Sequence, residues 1–382
     1  MNIHDFDDIR PFLPEELPAI YDKLLADPDF LEVLAYVYKD VPQEQLAALM
    51  RTCKTNLEFQ QKMVYPMLKH LVATAATSLT ANFSALDAER DRQHTFVSNH
   101  RDIVLDSALL SVVLIEAGMN TVEIAIGDNL LIRPWIKDLV RVNKSFIVQR
   151  ALTMREMLMA SAKMSRYMHF CINEKHENIW IAQREGRAKD SDDRTQDSVL
   201  KMMAMGGDLR SLNIVPLAIT YEYDPCDYLK AQEFQNKRDI EGFKKSQQDD
   251  LDNMRIGIFG PKGKIHYHAA PCINEWLDTL PADLPKTEYF RTVAQHIDTE
   301  IHRHYHLYPG NYVAADQLLA EKGDQPQFRD HYTEEQVQQF NAYVAKKLSM
   351  IQLAQPDEPF LRHSILTMYA NPVFNHEAAL SK

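Results

Sequence analysis

The sequence predicts an α/β protein, in which a central sheet, mostly parallel or mixed, is flanked by helices and extended by helices at both ends. Short β-rich runs alternate with segments of helical pattern between about residues 92 and 275. The first ninety residues and the tail carry apolar residues at helical spacing. The chain has 382 residues, of which 45% are hydrophobic and 25% charged, as in an ordinary soluble protein with a large core.

The N-terminal region, residues 1–90, is predicted to be helical. LPEELPAIYDKLLAD and DPDFLEVLAYVYKD both carry Pro or Asp near a first turn and apolar residues at helical spacing. PQEQLAALMRTC follows them, and then a long helical segment that is interrupted at Pro66. Residues 71–86 of this segment carry no charge, and we expect them to form an uncharged helix.

Seven β-rich runs mark the central domain, residues 91–275, and helical patterns separate most of them. The runs are HTFVS (94–98), TVEIAI (121–126), SFIVQ (145–149), NIWIAQ (178–183), IVPLAITYEY (214–223), IGIFG (256–260) and KIHYH (264–268). The tail, residues 276–382, is predicted to be a helical extension with proline-rich breaks.

Charge and cysteine usage restrict the classes of partner and compartment. A net charge of −12 argues against nucleic acid as a partner. Residues 133–166 nevertheless carry eight basic side chains against two acidic ones, which suits an anionic ligand, an anionic membrane surface or a solvated helix face. Four widely separated cysteines, an acidic N-terminus and the lack of a run of about 18 apolar residues predict a cytoplasmic protein.

Two patterns in the helical segments have an ordinary structural explanation. Asp298, His302 and His306 are spaced to share one helix stripe, but the spacing places no further ligand, so no metal site is expected. Four methionines recur at largely helical spacing, which favours a packed core stripe over a lining for an acyl chain. They are Met154, Met157, Met164 and Met168.

The stretch SNHRDIVLD, residues 98–106, contains the triplet His-Arg-Asp of a protein-kinase catalytic loop. A kinase needs a glycine-rich loop upstream of that triplet, an Asn five residues after its Asp, and a DFG motif. The first glycine of this chain is Gly118, the position of the Asn is Ser107, and no DFG occurs. The sequence therefore excludes a kinase.

The same stretch also has the components of a histidine general base. No GxSxG nucleophile motif accompanies it, so a serine hydrolase is not expected. His100 ends a predicted strand, and Asp102 and Asp106 follow it. An imidazole oriented by a carboxylate can take a proton from a substrate hydroxyl at neutral pH. By itself, however, a histidine at the end of a strand is more often structural.

Four stretches in order give the chain a resemblance to the glycerolipid acyltransferase superfamily, the bacterial glycerol-3-phosphate and 1-acylglycerol-3-phosphate acyltransferases. Each looks like one of the family's four blocks, and the resemblance covers roughly residues 92 to 275. The stretches are FVSNHRDIVLD, KSFIVQR, IWIAQREGRAKD and IVPLAITY, and the later GKIHYHAAPCI is similar to a following strand of the family.

Two spacings depart from the family pattern. The family usually places four residues between His and Asp, whereas here Leu105 occupies that position and Asp106 comes one later. Either the turn holds an extra residue or Asp102 orients the imidazole. The family also usually has one residue between Glu-Gly and the arginine of the third block. Here Arg187 follows at once, so Lys189 is an alternative anion ligand.

The resemblance implies transfer of a fatty acyl group from acyl-CoA or acyl carrier protein to a hydroxyl of glycerol 3-phosphate or 1-acylglycerol 3-phosphate. His100 would be the base, and no cofactor beyond the acyl thioester would be needed. The other residues that the resemblance assigns to substrate binding are Arg150, Glu185, Gly186, Arg187, Lys189 and Pro216.

Two other functions remain open at this stage. One is the same chemistry on another lipid acceptor, and the other is a non-catalytic lipid-binding protein on the same fold. We also expect peripheral attachment to the inner face of the cell membrane, through the uncharged segment 71–86 and the basic residues of 133–166.

Overall fold

A computed structural model describes residues 1–150 and 153–381. The chain begins with helices that lead into the sheet. They are α1 (Leu17–Leu25), α2 (Pro28–Val37), α3 (Gln43–Thr52), α4 (Asn56–Phe59) and α5 (Tyr65–Ala75), with a π-helical turn (Gln60–Val64) between the last two. These helices pack mainly on one another around Leu17, Tyr21 and Met50, which are almost completely buried.

The described residues contain seven strands, and all seven belong to one sheet. The strands are β1 (Ala76–Asn82), β2 (Thr95–Ser98), β3 (Val122–Gly127), β4 (Ser145–Val148), β5 (Asn178–Ala182), β6 (Ile214–Tyr221) and β7 (Gly263–Ala269). Between strands lie α6 (Leu105–Glu116), α7 (Pro134–Val142), α8 (Met154–Asn173), α9 (Asp197–Met203), α10 (Asp227–Asp239) and α11 (Gln247–Phe259). The predicted fold class is confirmed.

The sheet is mixed, with the strand order β1-β7-β6-β2-β5-β3-β4. The five strands from β6 to β4 run parallel to their neighbours, whereas β7 runs antiparallel to β6 and β1 runs parallel to β7. One apolar cluster joins the sheet to α5 and α6, and a second joins it to α8 and α9. Helices on both faces therefore bury the central strands β6, β2 and β5 almost completely.

Residues 71–86 are not the uncharged helix that the sequence suggests. Helix α5 ends at Ala75, and Ala76–Asn82 form β1, an edge strand that pairs with β7 from Ala76 to Asn82. The residues of this strand do not alternate between polar and apolar, because the side chains on both of its faces are half-buried or exposed. Pairing with β7, remote in sequence, decides the conformation there. The region predicted to be helical, residues 1–90, thus contributes one strand to the sheet. The predicted division of the chain into 1–90, 91–275 and 276–382 stays a prediction.

The run IGIFG at 256–260 was also predicted wrongly as a strand. It forms the end of α11, which begins with a capping box in which the side chains of Ser246 and Asp249 bond each other's backbone amide. The cap starts a helix that continues to Phe259, and Gly260 then leaves it in an extended conformation. A short apolar run of this kind does not distinguish a strand from a buried helix end.

The tail is helical, as predicted. Its helices are α12 (Asn274–Leu277), α13 (Lys286–Arg303), α14 (Pro309–Glu321), α15 (Glu334–Leu348) and α16 (Glu358–Leu380). They pack on the sheet and on α10, and a buried polar cluster helps to fix them there. At its centre the carboxylate of Asp227 accepts hydrogen bonds from Tyr343 (2.5 Å) and Tyr369 (2.8 Å) and pairs with Lys347 (3.1 Å).

The methionine stripe divides into two parts. Met164 and Met168 are buried in the apolar core between α8 and the sheet, which confirms the packing interpretation for them. Met154 and Met157 are exposed at the start of α8. Among the described residues, no helix combines the length and apolar character needed to cross a bilayer.

Substituting Tyr369→Phe should destabilise the protein by about 1–3 kcal/mol, because Asp227 and the amide of Asp224 both lose a buried hydrogen-bond partner. The measurement is urea unfolding followed by circular dichroism. Tyr65→Phe is the matched control, since that hydroxyl bonds the exposed Glu116 (3.3 Å), and its effect should stay below about 0.5 kcal/mol. Equal effects of the two substitutions would contradict the role given to the buried cluster.

Candidate active site

The sheet brings the candidate residues to one edge. Strands β6, β2, β5, β3 and β4 run in the same direction, so their carboxyl ends lie together there. The connections that leave these ends include residues 99–104, 128–133, 183–195 and 222–226. Strand β7 runs the opposite way and begins at this edge. Sheets of this kind bind their ligands outside the carboxyl ends of the strands, so a functional site is expected at this carboxyl edge.

Asn99 fixes the start of the connection that follows β2. Its side chain is buried, donates to the carbonyl of Ile219 (2.9 Å) and accepts from the amide of the same residue (2.8 Å). The side-chain amide thereby imitates one more residue of pairing between β2 and β6. This pairing holds the backbone rigidly immediately before His100.

His100 and Asp106 form a hydrogen-bonded dyad. The distance between His100 Nδ1 and Asp106 Oδ2 is 2.8 Å. A carboxylate can only accept, so Nδ1 carries a proton, and in the neutral imidazole Nε2 keeps its lone pair. Nε2 makes no hydrogen bond with any described residue, and the imidazole remains 13% exposed. The free nitrogen is therefore available to a bound molecule.

Several other donors hold the Asp106 carboxylate in place. Oδ2 also accepts from the amides of Arg101 (2.6 Å) and Asp102 (3.0 Å), and Oδ1 accepts from the Tyr221 hydroxyl (3.1 Å). The side chain of Asp106 is completely buried. Burial raises the pKa of Tyr221 well above its usual range, so its hydroxyl remains a donor. Tyr267 donates to the backbone carbonyl of Asp106 (2.9 Å).

The six-residue separation of the dyad is explained by the loop between β2 and α6. Residues 99–104 are not helical, and Asp106 lies in the first turn of α6, from which it reaches back to the loop. Asp102 has a different task, because its Oδ1 accepts from the amides of Val104 (2.9 Å) and Leu105 (2.8 Å) at the start of α6. Of the two candidate carboxylates, Asp106 bonds the imidazole.

Asp102 also lies in a different electrostatic environment. Burial and the negative charge of Asp106 raise its pKa, while the nearby guanidinium of Arg187 acts in the opposite direction. The ammonium of Lys262 is a second nearby cation, and burial lowers its pKa to about 8. Asp102 therefore connects the histidine loop electrostatically to the connection after β5, where Arg187 lies.

Trp180 supports the imidazole from the neighbouring strand β5. The rings of His100 and Trp180 meet edge to face, with centroids 5.7 Å apart and an interplanar angle of 66°. The indole nitrogen of Trp180 donates to Ser98 Oγ (3.0 Å), which fixes the indole in turn. Packing on one side and Asp106 on another leave the imidazole little rotational freedom.

Arg150 lies where the ends of three strands meet. Its guanidinium pairs with Glu185 (3.0 Å), which follows β5, and its amide donates to Asp128 (3.2 Å), which follows β3. The side chains of Arg150 and Glu185 are 35% and 71% exposed. An exposed pair of this kind is worth about 1 kcal/mol or less. Exchanging Glu185 for an anionic ligand would therefore cost Arg150 little.

The connection after β5 offers unoccupied donors. Gly186 has a φ of +67°, which favours glycine at this position. The amide of Glu185 is taken by the side chain of Gln196 (2.8 Å), but the amides of Gly186 and Arg187 bond no described residue. The guanidinium of Arg187 likewise forms no salt bridge within residues 1–150 and 153–381. A cation and two amides are thus open to a ligand.

Lys189 and Pro216, the two remaining residues that the sequence predicts for substrate binding, have structural partners. Lys189 forms an ion pair with the buried Glu233, which also pairs with Lys237 and Lys245 (both 2.9 Å). Burial lowers the pKa of Lys189 to about 8. Pro216 lies inside β6, opposite Val97, and its carbonyl accepts from Ala270 (2.9 Å). Their predicted binding roles stay predictions.

Sequence reasoning missed several residues that build the site, among them Tyr221, Trp180, Arg101 and Asp193. Tyr221 and Trp180 lie in runs that were predicted as strands, but their orientation toward the dyad depends on the strand order. Arg101, beside the histidine, forms an ion pair with the buried Asp193, which also accepts from Tyr305 (2.7 Å). This pairing across ninety residues gives no sequence signal.

The three side chains of the metal-like pattern in the tail contact different partners. Asp298 accepts from the amide of Thr195 (2.7 Å), His302 bonds the carbonyl of Asp193 (2.8 Å), and His306 packs against His266 (centroids 4.9 Å apart). Among the described residues, no group of three or more metal-ligating side chains converges.

Comparison with known proteins identifies no family for this chain. Neither a protein-family description nor a curated protein sequence matches it. Among solved structures, the 1-acyl-sn-glycerophosphate (LPA) acyltransferase PlsC from Thermotoga maritima is similar to it at 10% sequence identity. The match covers 74% of this chain and 94% of that one, with a TM-score of 0.36. A TM-score this low does not establish a common fold, so the function has to be inferred from the site.

Nitrogen NMR of the histidines should show His100 as the Nδ1–H tautomer at pH 8, because the Asp106 carboxylate fixes that proton. Asp106→Asn should change the tautomer ratio, since an amide can also donate to the imidazole. Asp102→Asn should leave it unchanged and serves as the control, because its oxygen can still cap α6. An Nε2–H tautomer in the wild type would contradict the described dyad.

Proposed function

We propose that this protein is an O-acyltransferase. It would move a fatty acyl group from acyl-CoA or acyl carrier protein to a hydroxyl of glycerol 3-phosphate or 1-acylglycerol 3-phosphate. The observation that carries the proposal is the buried His100–Asp106 dyad, which presents a free Nε2 at the carboxyl edge of the sheet. The four sequence blocks that resemble the glycerolipid acyltransferases supply the substrate class.

The dyad supports direct transfer to the acceptor. Within the described residues, no serine, threonine or cysteine hydroxyl or thiol is hydrogen-bonded to His100, as a nucleophile activated by this histidine would be. Cys171 and Cys226 are buried, and burial raises the pKa of each thiol. The acceptor's own hydroxyl is thus the group that His100 would activate.

The reaction then follows from ordinary acid–base chemistry. Nε2 of His100 takes the proton of the acceptor hydroxyl as its oxygen attacks the thioester carbonyl carbon. The tetrahedral oxyanion collapses, the carbon–sulfur bond breaks, and the imidazolium returns the proton to the leaving thiolate. The products are an ester and a free thiol. Asp106 holds the imidazole in the productive tautomer and stabilises its positive charge.

The open donors after β5 suit the two negative charges of this reaction. The amides of Gly186 and Arg187 are available to the oxyanion, whereas the amide of Glu185 is not. The guanidiniums of Arg187 and Arg150 suit the acceptor's phosphate, because a planar fork of donors matches phosphate oxygens. We favour Arg187 over Lys189 as the anion ligand, because Lys189 is held by Glu233. The acyl thioester is a co-substrate, and the steps above use no other cofactor.

The geometry also bears on the alternative of a non-catalytic lipid-binding protein. That alternative rested on the unusual spacing between His100 and Asp106, which the loop accommodates without loss of the hydrogen bond. A different lipid acceptor would use the same dyad and differ only in the group that the arginines bind. The choice of acceptor is therefore tested together with the chemistry.

Purified protein should release thiol from palmitoyl-CoA only when an acceptor is present, and His100→Ala should lower this rate by at least about a hundredfold. Glycerol 3-phosphate and 1-acylglycerol 3-phosphate are tested in parallel, with palmitoyl-acyl carrier protein as a second donor. Release that does not depend on an acceptor would indicate a thioesterase. No release from either donor would contradict the proposal.

Arg187→Met should raise the KM for the phosphate-bearing acceptor by about tenfold or more and leave the KM for acyl-CoA nearly unchanged, since a charge-assisted bond to phosphate is lost. Lys189→Met is the comparison. It removes one of the three lysines that pair with buried Glu233, so it should lower the melting temperature with little effect on the acceptor KM. The reverse pattern would make Lys189 the phosphate ligand.

A further inference from the structure

The first turns of α8 expose an unusual set of apolar side chains. Met154 is 88% exposed, Met157 47%, Leu158 62% and Met159 64%, all within residues 153–159, here called the α8 tip. Thr153 and Glu156 form a capping box that holds the tip helical. Exposed apolar residues that cluster in this way usually mark an interaction surface, whereas single ones do not.

One side chain of the α8 tip lies on the same face of α8 as the buried residues further along the helix. Met157, Met164 and Met168 lie at spacings of seven and four residues and so share one stripe of α8. The sheet and its neighbouring helices cover this stripe at Met164 and Met168, which are buried, but not at Met157. Met154 and Leu158 lie to one side of Met157, and Met159 lies on the opposite face of the helix. The apolar stripe therefore runs past the body of the protein.

The tip lies at the same carboxyl edge as the dyad. Helix α8 begins a few residues after Arg150, which follows β4. Two other exposed apolar residues lie at that edge, namely Val104 in the loop after His100 and Phe259 at the end of α11. Phe259 packs edge to face against the exposed Tyr36 of α2, with centroids 5.6 Å apart. Several separate connections thus expose apolar side chains around the site.

The charges beside the tip are positive, although the whole protein carries −12. Lys137 and Arg155 are exposed, and so is Arg133, which pairs with the exposed Asp29 (3.2 Å), while Arg166 is exposed further along α8. Glu156 is the one exposed acid in the described part of 133–166. The remaining cations of this segment have partners or are buried, as when Lys144 pairs with Glu177 (2.7 Å). Exposed cations next to exposed apolar groups match an anionic interface with an apolar interior.

We infer that the α8 tip docks the protein on an anionic lipid bilayer, with the carboxyl edge of the sheet facing the membrane. The apolar side chains of the tip enter the headgroup region, and Arg155 reaches the lipid phosphates. A protein partner would need to cover one face of the helix, whereas the exposed residues 154–159 lie on several of its faces. This surface would bring a lipid acceptor to His100, and its test does not depend on catalysis.

The surface differs from the one that the sequence suggested. The expected apolar element, residues 71–86, contains β1, and the strand order places β1 and β4 at opposite ends of the sheet. That segment therefore cannot form one patch with the start of α8, which follows β4. Residues 153–159 supply the apolar element, and only the exposed basic residues of 133–166 are assigned to the lipid phosphates.

The test is flotation of the full-length protein with vesicles of phosphatidylcholine alone or with 40% phosphatidylglycerol, about 0.1 M salt and no substrate. Wild type should float with the anionic vesicles and remain unbound with the neutral ones. The triple variant Met154→Gln/Met157→Gln/Leu158→Gln should bind at least about tenfold more weakly. Ile240→Gln/Met350→Gln/Leu380→Gln is the matched control, since these exposed apolar residues lie at or beyond helix ends outside the tip, and it should bind as wild type.

The His100→Ala variant should bind the vesicles as wild type does, so a failure of acyl transfer and a failure of docking can be distinguished. Circular dichroism of both triple variants checks that the fold is retained. Wild type that stays unbound with anionic vesicles would overturn the inference. Equal binding of the tip variant and the wild type would overturn it as well, because the attachment would then lie elsewhere.

Discussion

The site depends on the burial of one carboxylate. Asp106 is completely buried, and a buried charge without partners is strongly unfavourable. Its oxygens accept from the imidazole of His100, from two consecutive backbone amides and from the Tyr221 hydroxyl. These donors come from the loop after β2 and from the end of β6. The hydrogen bonds that the Asp106 carboxylate needs therefore fix the loop, the strand pairing and the imidazole together, and Nε2 is directed away from the carboxylate.

The C-terminal helices extend this constraint to the second half of the site. Residues 190–195, which follow the Glu185–Arg187 turn, are held by α13 and α16 through side chains that bond the backbone of Asp190 (2.9 Å) and Thr195 (2.7 Å). Tyr305 donates to Asp193, the partner of Arg101. The tail thus connects the loop that carries the dyad to the loop that carries the open donors. It is part of the framework that positions the site.

Much of the fold follows from local patterns, and the exceptions have physical reasons. Six of seven predicted strands occur, because buried strands of a parallel sheet are continuous apolar runs. Strand β1 exists through its pairing with β7, which no local pattern records, and IGIFG is helical because a cap ten residues earlier starts the helix. In the site, the motif predicted His100 and its neighbouring carboxylates. It could not choose between Asp102 and Asp106, since that choice depends on the path of a loop.

The measurement that tests the central claim most directly is a single turnover with labelled palmitoyl-CoA and excess protein, first without acceptor and then with it. We predict that the label stays on the thioester until a glycerophosphate acceptor is added and then appears in the acceptor ester, with none bound covalently to the protein. Label on the protein before the acceptor is added would show a covalent acyl-enzyme. That result would contradict direct activation of the acceptor hydroxyl by His100 and Asp106.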